Sequence, residues 1–294
     1  MQSEPEDLAA ESVIADASWV VTRATRAGRA VLLRQSSKAR PTSPDLAKLQ
    51  YGATLSQSLD VPGVVRVLGV EPLRDVVVVV MEDFGGLPLR CLLDQRRIEV
   101  LEALTIAREL AKILGALHRA HVVHRNVEPA NIYVDAASGA VQLANFDIAS
   151  RLGRERPVFA GAGRLDGTLA YISPESTGRM NRHADYRADM YSLGVTLDEM
   201  LAGRVPFDAA DPMALVHNHL AVAPEPPHRI RPTVDAAVSA VVMKLLAKDA
   251  EDRYQTTSGL IADLEECSSQ LTTKGTIGDF APGARDPTRA HGTC

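Results

Sequence analysis

Cysteine is scarce, with three in 294 residues (Cys91, Cys267 and Cys294), an odd number and widely spaced. That excludes a disulfide framework and fits a reducing compartment. No long hydrophobic run is present. The most apolar stretch, Val76 to Met81, is far too short to span a bilayer. The first residues, MQSEPEDLAAE, are acidic and lack the basic start and apolar core of a signal peptide. Net charge of either sign is also small: 32 basic against 37 acidic residues give −5, with no polybasic footprint for nucleic acid or anionic lipid. What is there, 46% hydrophobic and 23% charged residues, is ordinary globular composition. The expectation is a cytoplasmic protein with no membrane span and no nucleic-acid partner.

The first ninety or so residues read mainly as β structure. Short apolar pieces recur at Ser18 to Val21, Arg29 to Leu33, Val64 to Val70 and Val76 to Met81, with turn material between them. One helix is expected from Asp45 to Leu59, started by Pro44 and Asp45. Gly52 in its middle costs about 1 kcal/mol against alanine. After Phe84-Gly85-Gly86 the period changes. Apolar residues at 101, 104, 106, 110, 113, 114 and 117 give helical spacing over Glu99 to Arg119. Further helical patterns lie at Met190 to Leu201, Pro212 to Leu220, Val234 to Leu246 and Gly259 to Cys267, with short strands at Ile132 to Val134 and Val141 to Leu143. From Ser268 the composition turns to Gly, Thr and Pro, the signature of a linker or tail.

Several motifs then occur in a fixed order. Leu117 to Val134 reads LHRAHVVHRNVEPANIYV, with His124, Arg125, Asn126 and, five further on, Asn131. Leu143 to Ala149 reads LANFDIA. Gly167-Thr168 and Tyr171-Ile172-Ser173-Pro174-Glu175 follow, then Asp189 to Gly194 (DMYSLG), Pro206-Phe207, and Lys248 to Tyr254 (KDAEDRY). This series resembles the protein kinases: the catalytic loop H-R-D-x-x-x-x-N, the strand and D-F-G, the end of the activation segment, and the buried central helix of the large lobe. The wording of residues 167–201 and 245–256 is most similar to the serine/threonine kinase-like domains that open large bacterial multi-sensor (hybrid histidine) signalling kinases. On that resemblance the chain would be one piece of a longer protein.

The resemblance implies a bilobal α+β fold. A tail covers 1–11, a small β-rich lobe and hinge 12–86, a larger helical lobe 87–267, and a linker or tail 268–294. A five-stranded small lobe would end near Glu82, with a connection at Asp83 to Gly86. Arg253 would pair with Glu175. The implied cofactors are ATP and Mg²⁺, and the implied partners are proteins of a signalling system.

The same resemblance makes the departures visible. Kinase catalysis is positioning and electrostatics around a transferred phosphoryl group. Val31-Leu32-Leu33-Arg34 stands at the V-A-I-K strand, so arginine replaces the phosphate-anchoring lysine, a swap that is not conservative. The helix position that should carry its acidic partner is Gly52, which predicts a cation without orientation. Asn126 replaces the aspartate that accepts the substrate proton, a loss typically of about 10²–10⁴ in rate. Glu128 stands where serine/threonine kinases commonly carry a lysine facing the γ-phosphate.

Asn145-Phe146-Asp147 replaces D-F-G, leaving a neutral amide where Mg²⁺ prefers a carboxylate. Asn131, the second metal ligand, is retained, and Asp147 is a possible substitute, although it sits where glycine normally permits the turn. Residues Ser12 to Ala24 contain no glycine to cover phosphates, and Trp19 falls near the third glycine position. In the adenine slot, Leu32 replaces a small roof residue and Tyr133 a floor leucine, with Val21 on the roof and Met81 at the back. Two enlarged side chains facing one slot should narrow it.

These losses sit beside intact structural signatures, which points to a pseudokinase acting as a regulatory or docking module. The alternative is a weakly active ATP-dependent serine/threonine kinase. His118, His121 and His124 tempt a metal reading, but no Cys or acidic set completes a zinc site. His217 and His219 read as helix-surface residues, and Cys91 and Cys267 as buried or half-buried apolar positions.

Overall fold

The computed structural model describes residues 11–15, 19–38, 41–73, 76–152, 168–180 and 184–286. Five antiparallel strands form the small lobe: β1 (Glu11–Ala15), β2 (Trp19–Arg26), β3 (Arg29–Ser36), β4 (Val67–Leu73) and β5 (Val76–Glu82), in the order β1-β2-β3-β5-β4. The five strands expected are present; β1, which no apolar piece marked, lies in the glycine-free stretch. Register places Leu32 opposite Met81 and Arg34 opposite Val79. Alternate residues of a strand face opposite sides. Val21, Leu32, Val79 and Met81 therefore share one buried cluster, while Ala24, Val31, Leu33, Val78 and Val80 share another. The run of valines in β5 is thus explained by burial on both faces.

Helix α1 (Ser43–Gln57) packs Leu49 and Ala53 on the first of these faces. Thr42 caps its N-terminus and Asp45 answers with bonds to the Thr42 amide and hydroxyl, the two side chains satisfying backbone donors reciprocally. Past its end, backbone bonds Val65 N to Leu143 O (2.9 Å) and Leu143 N to Gly63 O (2.7 Å) tie it to the large lobe. Gly63 needs its positive φ of 86° there. The connection at Asp83 to Gly86 follows β5, and Asp83 accepts from Arg23 on β2 at 2.5 Å.

The large lobe follows with β6 (Leu87–Pro88), α2 (Leu89–Gln95), α3 (Val100–Arg119), β7 (Val122–Val123), β8 (Ile132–Val134), β9 (Val141–Leu143) and β10 (Ser150–Arg151). Helices α4 (Arg187–Ala202), α5 (Pro212–Ala221), α6 (Pro227–Ile230), α7 (Ala236–Leu245) and α8 (Thr257–Lys274) complete it. In α4, residues Ala188 through Leu201 are all buried. A helix apolar or buried all round belongs at the centre of a lobe.

The expected tail boundary at Cys267 falls inside α8, which continues to Lys274. The chain then doubles back. Ile277 and Phe280 pack on the main core, and Asp286 accepts from the backbone amides of Gln255 and Thr256 at 2.5 and 3.1 Å. Gly/Thr/Pro composition concealed this packing. His219 is also unlike its expectation: it is fully buried against Tyr191 and Phe207, whereas His217 is exposed. Among the described residues no helix is long and apolar enough to cross a membrane.

Candidate functional site

The residues singled out in sequence converge on the cleft between the lobes. Its apolar half is one packed cluster of Val21, Leu32, Leu49, Ala53, Val65, Val79, Met81, Tyr133 and Ala144. Leu32 is 0% exposed and Tyr133 2%. Tyr133 on β8 is met edge-on by Phe84 of the connection at 6.4 Å, and burial pushes its phenol up to about 12. The roof strand and the floor strand therefore both contribute to one hydrophobic cluster. Behind it, Arg34, Gly52, Ser56, Val79, Met81 and Phe146 are among the residues lining a cavity of about 10 Å³, room for about one water.

The polar half is a continuous hydrogen-bonded chain. Glu128 accepts from Asn131 Nδ2 at 2.9 Å, and the same Nδ2 reaches the Asn126 carbonyl at 2.9 Å. Asn131 Oδ1 accepts from Asn145 Nδ2 at 3.0 Å. Asn145 Oδ1 accepts from Arg34 Nη2 at 3.0 Å, and both guanidinium ends of Arg34 donate to the Asp147 carboxylate, Nη1 at 3.2 Å. Arg34, Glu128, Asn131, Asn145 and Asp147 are all buried. The guanidinium also lies 4.0 Å over the Trp19 ring, a favourable cation–π position.

Two expectations are corrected by this geometry. Arg34 is oriented, despite Gly52, because Asp147 supplies the carboxylate. Nor does Asp147 occupy a left-handed turn position. The positive φ falls on Asn145, at 66°, a residue type that tolerates it. Trp19 is a packing platform for Arg34 and opens β2, with its neighbours Asp16 to Ser18 outside the described residues.

Mg²⁺ does not fit this arrangement as it stands, because a fixed positive charge already sits on its expected oxygen donors. Asn145 Oδ1 and both Asp147 carboxylate oxygens accept from the Arg34 guanidinium, and Asn131 Oδ1 accepts from Asn145. Among the described residues no cluster of three His, Cys, Asp or Glu could hold a metal. That includes His118, His121 and His124. His118 Nε2 meets Asp189 Oδ2 at 3.0 Å, and His121 is exposed in the turn after α3. His124 is kept neutral by burial; its Nδ1 accepts from the Asn126 amide, leaving Nε2–H to donate to Ala144 O at 2.9 Å.

The scaffold beneath the cleft is held through the backbone. Asp189 accepts from the backbone amides of His124 (2.9 Å) and Arg125 (2.7 Å). Burial alone would raise its carboxyl, but the bond to His118 and the charge beside it hold it below the ordinary carboxylate range. Glu175 and Arg253 form a buried bidentate pair at 2.7 and 2.9 Å, as expected. Elsewhere in the large lobe, Tyr171 donates to Glu199 at 2.6 Å and Arg90 binds the same carboxylate at 2.5 Å. Sequence reading did not single out this trio, because no one motif contains it. Gly167 and its preceding segment lie outside the described residues.

Comparison with known proteins agrees with this scaffold. A family described as protein kinase domain matches residues 20–263. A probable serine/threonine-protein kinase of Clostridium perfringens is 34% identical over 215 residues, covering 73% of this chain and 31% of the relative. The serine/threonine-protein kinase PknB of Mycolicibacterium smegmatis is 35% identical over 187 residues, 63% of this chain and 29% of the relative. A probable serine/threonine-protein kinase of Streptomyces coelicolor is 32% identical over 251 residues, 83% of this chain and 37% of the relative. The chain spans about a third of the length of these curated relatives. With two lobes, a buried central helix and the Glu175–Arg253 pair in place, this chain belongs to the protein kinase domain family.

Proposed function

We propose that this domain is a pseudokinase: a kinase-fold module that serves a signalling system by docking or regulating another protein, and that does not transfer phosphate itself. The observation that supports the reading is that Leu32 and Tyr133 are buried in one apolar cluster while Arg34 donates to Asn145 and Asp147. On this reading Leu32 and Tyr133 take the adenine slot, and Arg34 competes for the oxygens that Mg²⁺ would need. The missing proton acceptor at Asn126 and the carboxylate of Glu128 beside the phosphate path act in the same direction. ATP and Mg²⁺, the family's cofactors, are accordingly bound weakly or not at all. The likeness of residues 167–201 to the opening domains of multi-sensor kinases suggests a cytoplasmic signalling protein as the partner class.

A second reading, a weakly active ATP-dependent serine/threonine kinase, is favoured by the names of the curated relatives and by the retained Asn131, His124 and Asp189. A radiolabelled phosphate-transfer assay separates the two. The proteins are the native chain, Asn126→Asp, and a combined variant carrying Arg34→Lys, Gly52→Glu, Asn126→Asp, Glu128→Lys, Asn145→Asp and Asp147→Gly. The pseudokinase reading expects transfer from neither of the first two, because groups that act together are not restored one at a time. Transfer by the native chain, or full recovery by the single change, favours the kinase.

A further inference from the structure

Gly52 and Asp147 belong to different lobes and touch in space. A Cβ built on Gly52 would lie 2.6 Å from the Asp147 backbone nitrogen and 2.8 Å from its Cα, and would strike the carboxylate itself. Real Cβ atoms do not approach so closely. Any side chain on α1 at 52 would therefore collide with the backbone of residue 147 as well as with its carboxylate. We propose that Arg34 and Asp147 form a latch between the lobes: Asp147 is the acid that holds Arg34, Gly52 is the room that the residue-147 backbone needs to approach α1, and Arg34 is the resident cation of the cleft. This deepens the self-filled cleft proposed above and rests on it.

Three observations carry the latch. First, Arg34 Nη1 and Nη2 both engage Asp147 while Nη2 also engages Asn145, so one forked guanidinium satisfies two side chains. A planar fork matches a carboxylate bidentately where a lysine would not. Second, the side-chain oxygens of Asn131, Asn145 and Asp147 are all acceptors in the same chain of bonds, from Arg34 through Asn145 to Asn131. A neutral amide at 145 suits this chain better than a second carboxylate would, because Asn145 must donate to Asn131 and accept from Arg34 at once. Third, the latch joins β3 of the small lobe to the loop after β9 of the large lobe, beside a helix whose following loop is already tied to β9 by backbone bonds. The lobes are thereby joined without nucleotide or metal.

The test is a cycle of thermal unfolding on four proteins: native, Asp147→Gly, Gly52→Glu, and both together. Each single change should lower the melting midpoint by roughly 10 °C, one by leaving a buried guanidinium without its acid and the other by collision. The double variant should recover little of that loss, because a Cβ at 52 still meets the backbone nitrogen and Cα of residue 147 after its side chain is gone. A double variant that returns to native stability overturns the role given to Gly52. Should either single variant fail to fold, Asp147→Asn, which keeps the shape and removes the charge, takes its place in urea unfolding. A native-like stability for Asp147→Asn overturns the proposal equally.

Manganese titration of the native chain without nucleotide, followed by electron paramagnetic resonance, should show only free ion up to millimolar concentration. Bound Mn²⁺ that is displaced by Mg²⁺ contradicts a resident cation. The outcomes separate from the broader reading. Phosphate transfer by the native chain sinks the pseudokinase, whereas native-like stability of Asp147→Asn in an inactive chain sinks the latch alone.

Discussion

Two buried polar networks lie within this domain, one in the scaffold around Asp189 and Arg253 and one in the cleft around Arg34, and they have been treated differently. Asp189 binds two backbone amides and one histidine, and Arg253 binds the backbone carbonyls of Arg187, Ala247 and Lys248 as well as Glu175. Backbone groups cannot be substituted, so the side chains that satisfy them are fixed in type. The Arg34 network is mostly side chain to side chain. Acids and amides there can trade places, provided every donor keeps an acceptor. The difference teaches where substitution is least constrained: in the network whose partners are mostly side chains.

The sharpest way to break that comparison is at Glu175–Arg253. Arg253 is fully buried and Glu175 nearly so. Removing one partner, as in Glu175→Ala, leaves an uncompensated buried charge and should cost about 3–5 kcal/mol in urea unfolding. A loss below about 1 kcal/mol, the value of a surface pair, would mean that the scaffold network is as replaceable as the cleft.

A comparable effect is expected from opening the apolar half. Leu32→Ala with Tyr133→Leu should destabilise by roughly 2–5 kcal/mol through the cavity it leaves. It should also create affinity for adenosine that needs no metal, read by calorimetry. If adenosine binds the native chain as well as the variant, the slot was never filled.

Asp198 on α4 sharpens the account by pH. It is fully buried, neither carboxylate oxygen has a hydrogen-bond partner among the described residues, and burial pushes it up to about 7. Its folded value lies above the unfolded one, so the native state holds the extra proton. Its contribution is favourable below about pH 4 and is lost as pH rises towards 7. His219 runs the other way: burial, with Lys248 beside it, depresses it to about 4, so its contribution is present above about pH 6.5 and is lost on acidification. The two slopes oppose each other between about pH 4 and 7. Asp198→Asn isolates one of them. Relative to native it should gain on the order of 2–4 kcal/mol at about pH 8 and nothing near pH 4. A difference that does not change with pH would contradict the assignment. At the small end, Thr42→Ala removes the cap of α1 and should cost about 1 kcal/mol without altering the cleft.

Much of this was legible in the sequence. Glu175 and Arg253 stand in motifs whose order names them as partners, Asp189 and His124 stand in the same series, and the valine-rich strands and α3 follow from period alone. The pairing of Arg34 with Asp147 was not legible. Each position read singly is a loss, and only the close approach of residue 147 to Gly52 and Arg34 brings the acid to the cation. The end of α8 was hidden for a different reason: its polar Ser and Thr residues carry no apolar period, and Asp286 acts on backbone amides distant in sequence. His219 looked like a surface residue because an isolated polar side chain on a short helix gives no sign of the Tyr191 hydroxyl that meets it.

The central claim, a cleft occupied by its own side chains, is tested most directly by the melting midpoint of the native chain with and without millimolar Mg-ATP. A ligand present at about a hundred times its dissociation constant adds about 2.7 kcal/mol, which for a domain of this size is roughly 5–10 °C. The account predicts no shift with ATP alone and none on adding Mg²⁺. A Mg²⁺-dependent rise of that size would contradict it and return the domain to the active kinases.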